Sequence, residues 1–292
     1  MDIGIIGAGT VGTALAVRLA ERGHRIVAVA SRTAASAQRL AARLDDGCRV
    51  ATKDEVAAAA ELVFITTPDD AIEGVANEVA WRAGQGVVHC SGVASTDILE
   101  AARRAGAGVG GFHPLQSFAN VEAALRNIPG STFGLEAEEP LLSRLKGLAE
   151  VLGGTFVVIG PGDKALYHAA AVIACNYFVT LIKLSTDLWR CFGVDSKAAF
   201  AAMQPLVQGT VNNLANVGLP DALTGPIARG DIGTLRRHLV AMNERAPEIV
   251  PTYCELGRQT IPIALAKGRI GADRADEMRR LLDQARESIG AL

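Results

Sequence analysis

Aromatic residues make up only 4% of the 292-residue sequence, too few for the stacking platforms that single-stranded nucleic acids need. A surplus of charge of one sign is missing as well. The 29 Lys and Arg and 31 Asp and Glu leave a formal net charge of −2, which argues against a nucleic-acid partner, since that needs a basic face. The five cysteines (Cys48, Cys90, Cys175, Cys191, Cys254) are scattered and form no Cys-x-x-Cys pair. That excludes a disulfide framework and a zinc knuckle, and it fits a cytoplasmic protein with reduced thiols. Met1-Asp2-Ile3-Gly4 carries no basic segment and leads directly into a structural pattern, so no signal peptide is expected. The longest apolar stretch, residues 169–182, is broken by Asn176 and Tyr177 and reads as shorter than a membrane span. Neither nucleic acid nor a membrane is an expected partner.

With 49% hydrophobic and 21% charged residues, the chain has a globular composition and room for two cores. Up to about residue 160, short apolar runs (3–6, 25–30, 62–66, 87–90, 109–112, 155–159) alternate with helical spacing (11–22, 34–44, 70–81, 96–105, 141–152). Nearly continuous apolar strands between helices mean an α/β unit with a doubly wound parallel sheet, covered on both faces. After Pro161-Gly162 the alternation stops. Residues 163–191 read as one long helix with Asp163 as its N-cap, and helices follow at 196–217, 232–243, 247–267 and 272–289. The expected organisation is a sheet domain over 1–161 and an all-α domain over 162–292. Long apolar helices in so small a second domain point to a homodimer formed through it.

Gly7-Ala8-Gly9-Thr10-Val11-Gly12 lies directly after the first strand and opens the first helix. In a dinucleotide-binding turn the first glycine permits the bend and the second lets backbone approach a pyrophosphate. The third lets helix and strand pack, and the helix N-terminus supplies N–H groups to the anion. The second strand ends in Ser31-Arg32-Thr33, with no carboxylate to hold a ribose 2′-hydroxyl. An arginine between two hydroxyls suits a 2′-phosphate, so the expected cofactor is NADP(H). Thr66-Thr67-Pro68 sits at the next strand end and is expected on the nicotinamide-ribose side.

The remaining candidates are polar residues at strand ends and on one helix. In the run His89-Cys90-Ser91, alternation turns His89 and Cys90 into the packing and leaves Ser91 for the ligand edge. Gly110-Gly111-Phe112-His113-Pro114 brings an imidazole to that edge, although a structural histidine is the plainer reading. Lys164 and His168 are four apart and share a helix face, with Asn176 about 80° further round. They can orient and protonate a carbonyl if that face meets the cofactor; otherwise Lys164 is a solvated first-turn lysine. Asn212-Asn213 and Leu223–Asp231, with Arg229, are loop chemistry suited to a substrate carboxylate or simply an inter-helix connection. His113, His168 and Cys175 show no metal-ligand spacing, and no metal is expected.

The segments GIIGAGTVG, Ser31-Arg32 after the second strand, HCSG, GFHPLQSF, DKALYHAAAVIACNY and LTGPIARGD together resemble a bacterial Rossmann-like family of NADP-linked reductases. Its C-terminal helical domain long carried only an unknown-function label. The wider group holds 6-phosphogluconate and hydroxyisobutyrate dehydrogenases, pyrroline-5-carboxylate reductase and ketopantoate reductase. The resemblance implies hydride transfer from NADPH to a C=O or C=N carbon of a small acidic substrate, with 2-dehydropantoate the leading named one. Imine reduction, prephenate-type dehydrogenation and a non-catalytic NADP(H) sensor are the alternatives. GGFHP is similar to the strand-end motif of prephenate dehydrogenases, which implies that His113 contacts the reacting oxygen. GPGDKALYH is similar to the β-hydroxyacid dehydrogenase stretch with a proton-transferring lysine, which implies that role for Lys164. Tyr167 and His168 stand where that stretch has asparagines.

Overall fold

The computed structural model describes residues 1–44 and 47–290. Eight strands, β1 (Asp2–Ile6), β2 (Arg25–Ala30), β3 (Arg49–Val50), β4 (Leu62–Ile65), β5 (Gly86–His89), β6 (Gly108–Leu115), β7 (Thr132–Ala137) and β8 (Thr155–Val158), form one sheet in the order β3-β2-β1-β4-β5-β6-β7-β8. The chain winds outward from β1 to β3 and then crosses to β4. The crevice beyond the carboxyl ends of β1 and β4 is therefore the switch point at which such sheets bind ligands. Alternate residues feed two cores. Ile3, Ile5, Phe64 and Val88 pack on one face with Leu15 and Leu19 of the helix Thr10–Glu21, while Ile6, Val63, Ile65 and Val87 pack on the other.

The sheet departs from the all-parallel expectation at one edge. β7 runs antiparallel to β6, and β8 is parallel to β7 alone. The run Thr132–Ala137 did not read as a strand because Gly134 and Glu136 interrupt its apolar pattern. Contiguous packing divides the chain into a sheet-bearing unit, Met1–Asn176, and a helical unit from Tyr177 onward. The expected boundary at residue 161 thus falls inside the first unit. The next helical turns stay with the sheet because Lys164 and Tyr167 pair with groups on β6 and β7. The helical unit has its own core around Leu235, Leu239, Ile261, Met278 and Leu282.

The long helix is α-helical over Lys164–Ala171, π-helical over Val172–Asn176 and α-helical again over Tyr177–Arg190. Asp163 takes the N-cap position, but its side chain makes no capping hydrogen bond. Because the helix runs through Asn176 and Tyr177, its 27 residues are long and apolar enough to cross a membrane by length and composition, contrary to the expectation from the shorter run. Leu166, Ile173 and Val179 on it are 74%, 64% and 67% exposed, and Leu206 on the helix Ser196–Val217 is 71% exposed.

Candidate active site

The glycine turn shows three separate uses of glycine. Gly7 adopts φ +117°, and a side chain there would stand 2.6 Å from the Thr66 backbone. At Gly12 a Cβ would lie 2.1 Å from the Gly7 carbonyl oxygen, which is the close helix–strand contact. A Cβ on Gly9 would meet nothing within 4 Å. The backbone there borders open space at the N-terminus of Thr10–Glu21, whose first turn carries no acidic residue and no side-chain cap. Thr10 and Val11 are half-buried, with Val11 against the core. These free N–H groups, open space and absent acid are what a pyrophosphate requires.

The residues around the turn divide into braces and free groups. Thr66 donates its hydroxyl to the Gly7 carbonyl at 2.6 Å. It therefore braces the glycine turn at the strand end. Thr67 Oγ1 is buried without a hydrogen-bond partner, and Pro68 is exposed at the N-cap of Asp69–Glu78. Ser31 Oγ stands 3.5 Å from the Ala8 N–H. Thr33 donates to Ser36 at 2.8 Å from the N-cap of Ala34–Ala41. Arg32 is exposed and has no hydrogen bond or ion pair among the described residues. An open cradle, an orphaned buried hydroxyl and an unengaged arginine fit an adenine dinucleotide with a 2′-phosphate.

Next to the turn, Ser91 donates to Asp69 Oδ2 at 2.7 Å and accepts from the N–H groups of Val93 and Ala94. Ser91 is 2% exposed. With its proton given to Asp69 and both lone pairs taken by the loop, Ser91 has no capacity left to orient a substrate, which corrects its expected role. His89 is wholly buried, and its Nδ1 accepts the Ser91 N–H at 3.1 Å.

Residues 164, 167 and 168 share one helix face, and that face lies against three glycines. The register of β6 on β7 sets Gly111 opposite Glu136 and His113 opposite Gly134. Lys164 Nζ occupies the space above Gly111, 2.6 Å from where a Cβ would stand, and lies 3.5 Å from Glu136 Oε2. The Tyr167 hydroxyl fills the space above Gly134, again 2.6 Å from a Cβ position, and is 2.9 Å from His113 Nδ1. At Gly92 two imidazoles converge, with His168 Nδ1 at 2.5 Å and His113 Nε2 at 2.9 Å from the Cβ position. The His113 and His168 rings meet edge-on with centroids 5.7 Å apart. Lys164 is therefore not a solvated first-turn lysine, being 2% exposed.

Burial controls the protonation of this cluster. It pushes His113 down to about 4, with His168 and Lys164 nearby adding to the effect, and His89 down to about 3. Both imidazoles are neutral at neutral pH. The Tyr167 hydroxyl is pushed up to about 12 and keeps its proton. Burial lowers Lys164 below the usual lysine range, and Glu136 opposes that shift. The edge thus offers one buried amine, a protonated phenol and the neutral His113 imidazole beside His168, a set able to orient and protonate an acceptor atom.

Asn176 is not part of this cluster. It is exposed at the end of the π-helical turn and makes no hydrogen bond among the described residues. Its expected angle from His168 assumed 3.6 residues per turn, and the wider π turn breaks that phase. Asn212 bonds Gln208 at 2.9 Å on the helix Ser196–Val217, and Asp231 caps Ile232–Arg245 through Thr234. Glu136, Asp69 and the socket at Gly134 escaped the sequence reading. An acid inside an otherwise apolar run was the available signal for Glu136.

A Rossmann-like domain is matched over residues 1–114, and the domain of unknown function DUF2520 over residues 131–260. The chain joins a Rossmann-like domain to a DUF2520 domain. No curated protein matches the sequence. Among solved structures, the Bacteroides fragilis protein BF3122, assigned as an NADP oxidoreductase, is 25% identical, with a TM-score of 0.69 over 89% of this chain and 98% of that one. Protein TM1727 of Thermotoga maritima is 27% identical, with a TM-score of 0.65 over 98% of both chains. The Aspergillus terreus reductive aminase in complex with NADPH and ethyl-5-oxohexanoate shares the fold at 17% identity, with a TM-score of 0.62 over 98% of this chain and 94% of that one.

Proposed function

We propose that the chain is an NADP(H)-dependent oxidoreductase that reduces the C=O or C=N carbon of a small acidic substrate. The observation that carries this reading is continuity. The Asp69–Ser91 bond of 2.7 Å joins the strand end beside the glycine turn to the loop at Gly92 where His113 and His168 converge. The likeness to BF3122 and to an NADPH-bound reductive aminase supports it. Gly9, Arg32 and Thr67 would hold the cofactor, which supplies the hydride when bound. Reduction of a carbonyl also needs a proton at its oxygen. Lys164 or His168 gives that proton, His113 orients the acceptor atom, and Tyr167 fixes the His113 ring.

The first substrate to test is 2-dehydropantoate, and cyclic imino acids are the second class. NADPH oxidation is followed at 340 nm against a panel of 2-oxo acids and cyclic imines. Turnover of one class assigns the acceptor, and NADPH binding without turnover of either makes the protein a sensor. The working form is a cytoplasmic homodimer, whose second copy covers the apolar surface around Val179 and Leu206. Light scattering of Leu206→Glu tests it: a dimer that survives the charge removes that face as the interface.

A further inference from the structure

Lys164 and Glu136 form a buried pair that is poorly built for stability. The nitrogen and the nearer carboxylate oxygen are 3.5 Å apart, and neither has a hydrogen-bond partner among the described residues. The other Glu136 oxygen has only the Thr96 hydroxyl at 3.5 Å, and Arg103 donates to that hydroxyl at 3.4 Å. A buried ion pair strengthens a fold only when its remaining hydrogen-bonding capacity is filled. Here both partners keep open valences, as groups reserved for a ligand do.

The other groups facing Lys164 are Cys90 and His89 from the β5 end, His113 from β6 and Asp69 from the start of the helix Asp69–Glu78. Burial keeps the Cys90 thiol up at about 12 and the imidazoles at about 3 and about 4, so these three are uncharged at neutral pH. Asp69 already accepts the Ser91 hydroxyl. Glu136 is the counter-ion in direct reach.

We propose that Glu136 is a positioning residue that keeps Lys164 protonated and anchored above Gly111, so that the site presents an ammonium to the acceptor oxygen or nitrogen. The proposal rests on the reductase reading of the same site. Burial weakens the hold of the amine on its proton and Glu136 strengthens it, which poises one group to give a proton as hydride arrives. A neutral amine would leave the developing charge on the acceptor unmet.

The test uses the full-length protein in four forms: wild type, Glu136→Gln, Glu136→Asp and Glu136→Gln/Lys164→Met. The first readout needs no substrate. A lysine whose folded-state proton affinity is depressed costs stability at low pH, and the cost fades as pH rises toward the unfolded lysine value. The melting midpoint of Glu136→Gln should therefore climb relative to wild type between pH 6 and 9.5, and adding Lys164→Met should remove that climb. The second readout is the pH profile of kcat. Its alkaline limb should move down by about one unit or more in Glu136→Gln and return toward wild type in Glu136→Asp. The Asp variant also carries the comparison if the Gln variant does not fold. A melting deficit independent of pH, or an unmoved alkaline limb, overturns the proposal. Absence of wild-type turnover across the whole panel defeats the reductase reading instead, and the melting comparison still decides whether Glu136 holds the proton on Lys164.

Discussion

Arg32→Ala should separate the two nicotinamide dinucleotides without disturbing the fold. Arg32 is exposed and unpaired among the described residues, so its removal should change stability by no more than about 0.5 kcal/mol, as for surface positions without partners. Its neighbours cannot replace it. Thr33 spends its proton on Ser36 at 2.8 Å, and Ser31 faces the Ala8 N–H at 3.5 Å. A hydrogen bond to a charged group is worth about 1.5–3 kcal/mol, which is about 10- to 150-fold in the Kd for NADPH. Exposure to salt places the effect toward the lower end at physiological ionic strength and makes it larger in dilute buffer. NADH lacks the 2′-phosphate and should bind with unchanged affinity. The assay is titration of reduced-nucleotide fluorescence for both cofactors at two salt concentrations, with melting curves as the folding control. Equal weakening of NADPH and NADH would refute the 2′-phosphate assignment, and so would an NADPH loss that salt does not affect.

Gly9→Val should melt like wild type, because a Cβ there meets nothing within 4 Å and φ is −82°. It should abolish cofactor binding by filling the space a pyrophosphate needs, and normal NADPH affinity in a titration would disprove that use of the turn. Gly134→Ala should instead destabilise by about 1–3 kcal/mol, the usual range for overpacking, because its Cβ would stand 2.6 Å from the Tyr167 hydroxyl and 2.8 Å from Ile159. Denaturant unfolding measures it, and an unchanged midpoint would mean that Tyr167 does not occupy that socket. Lys164→Ala should lower kcat by about 100-fold or more, the scale of lost general-acid catalysis, with little change in NADPH affinity. His168→Ala should act mainly on KM, and steady-state kinetics showing the reverse ranking would move the proton-donor role to His168.

What was legible in the sequence follows from periodicity and from the chemistry of single turns. The strands buried on both faces announced themselves as continuous apolar runs, and the glycine turn stood in its required strand-to-helix setting. β3 has two residues, both exposed, and leaves no apolar pattern to read. β7 was hidden because Gly134 and Glu136 stand where a strand would carry apolar groups. Thr66 and Ser91 are hydroxyls at the correct edge. Only hydrogen-bond geometry shows that Thr66 braces Gly7 and that Ser91 is engaged by Asp69, Val93 and Ala94. The π turn at Val172–Asn176 likewise has no sequence signal, and it displaced Asn176 from the face that helical spacing assigned to it.

The glycines at 92, 111 and 134 explain why the cluster itself was only half visible. Glycine in a sequence is read first as conformational freedom, and none of these three adopts a positive φ. They are required for room. Each lacks a side chain where His168, Lys164 or Tyr167 must enter, and the antiparallel register of β6 on β7 sets two of them beside His113 and Glu136. The helix residues were legible as a set because they share a face, and the strand motif was legible because it holds a histidine after two glycines. Their partnership depends on β7, whose sequence disguises it as a loop. The residues that make the site dense are therefore the ones that conceal the strand holding it together, and a glycine alternating with an acid inside an apolar run deserves reading as a socket as well as a turn.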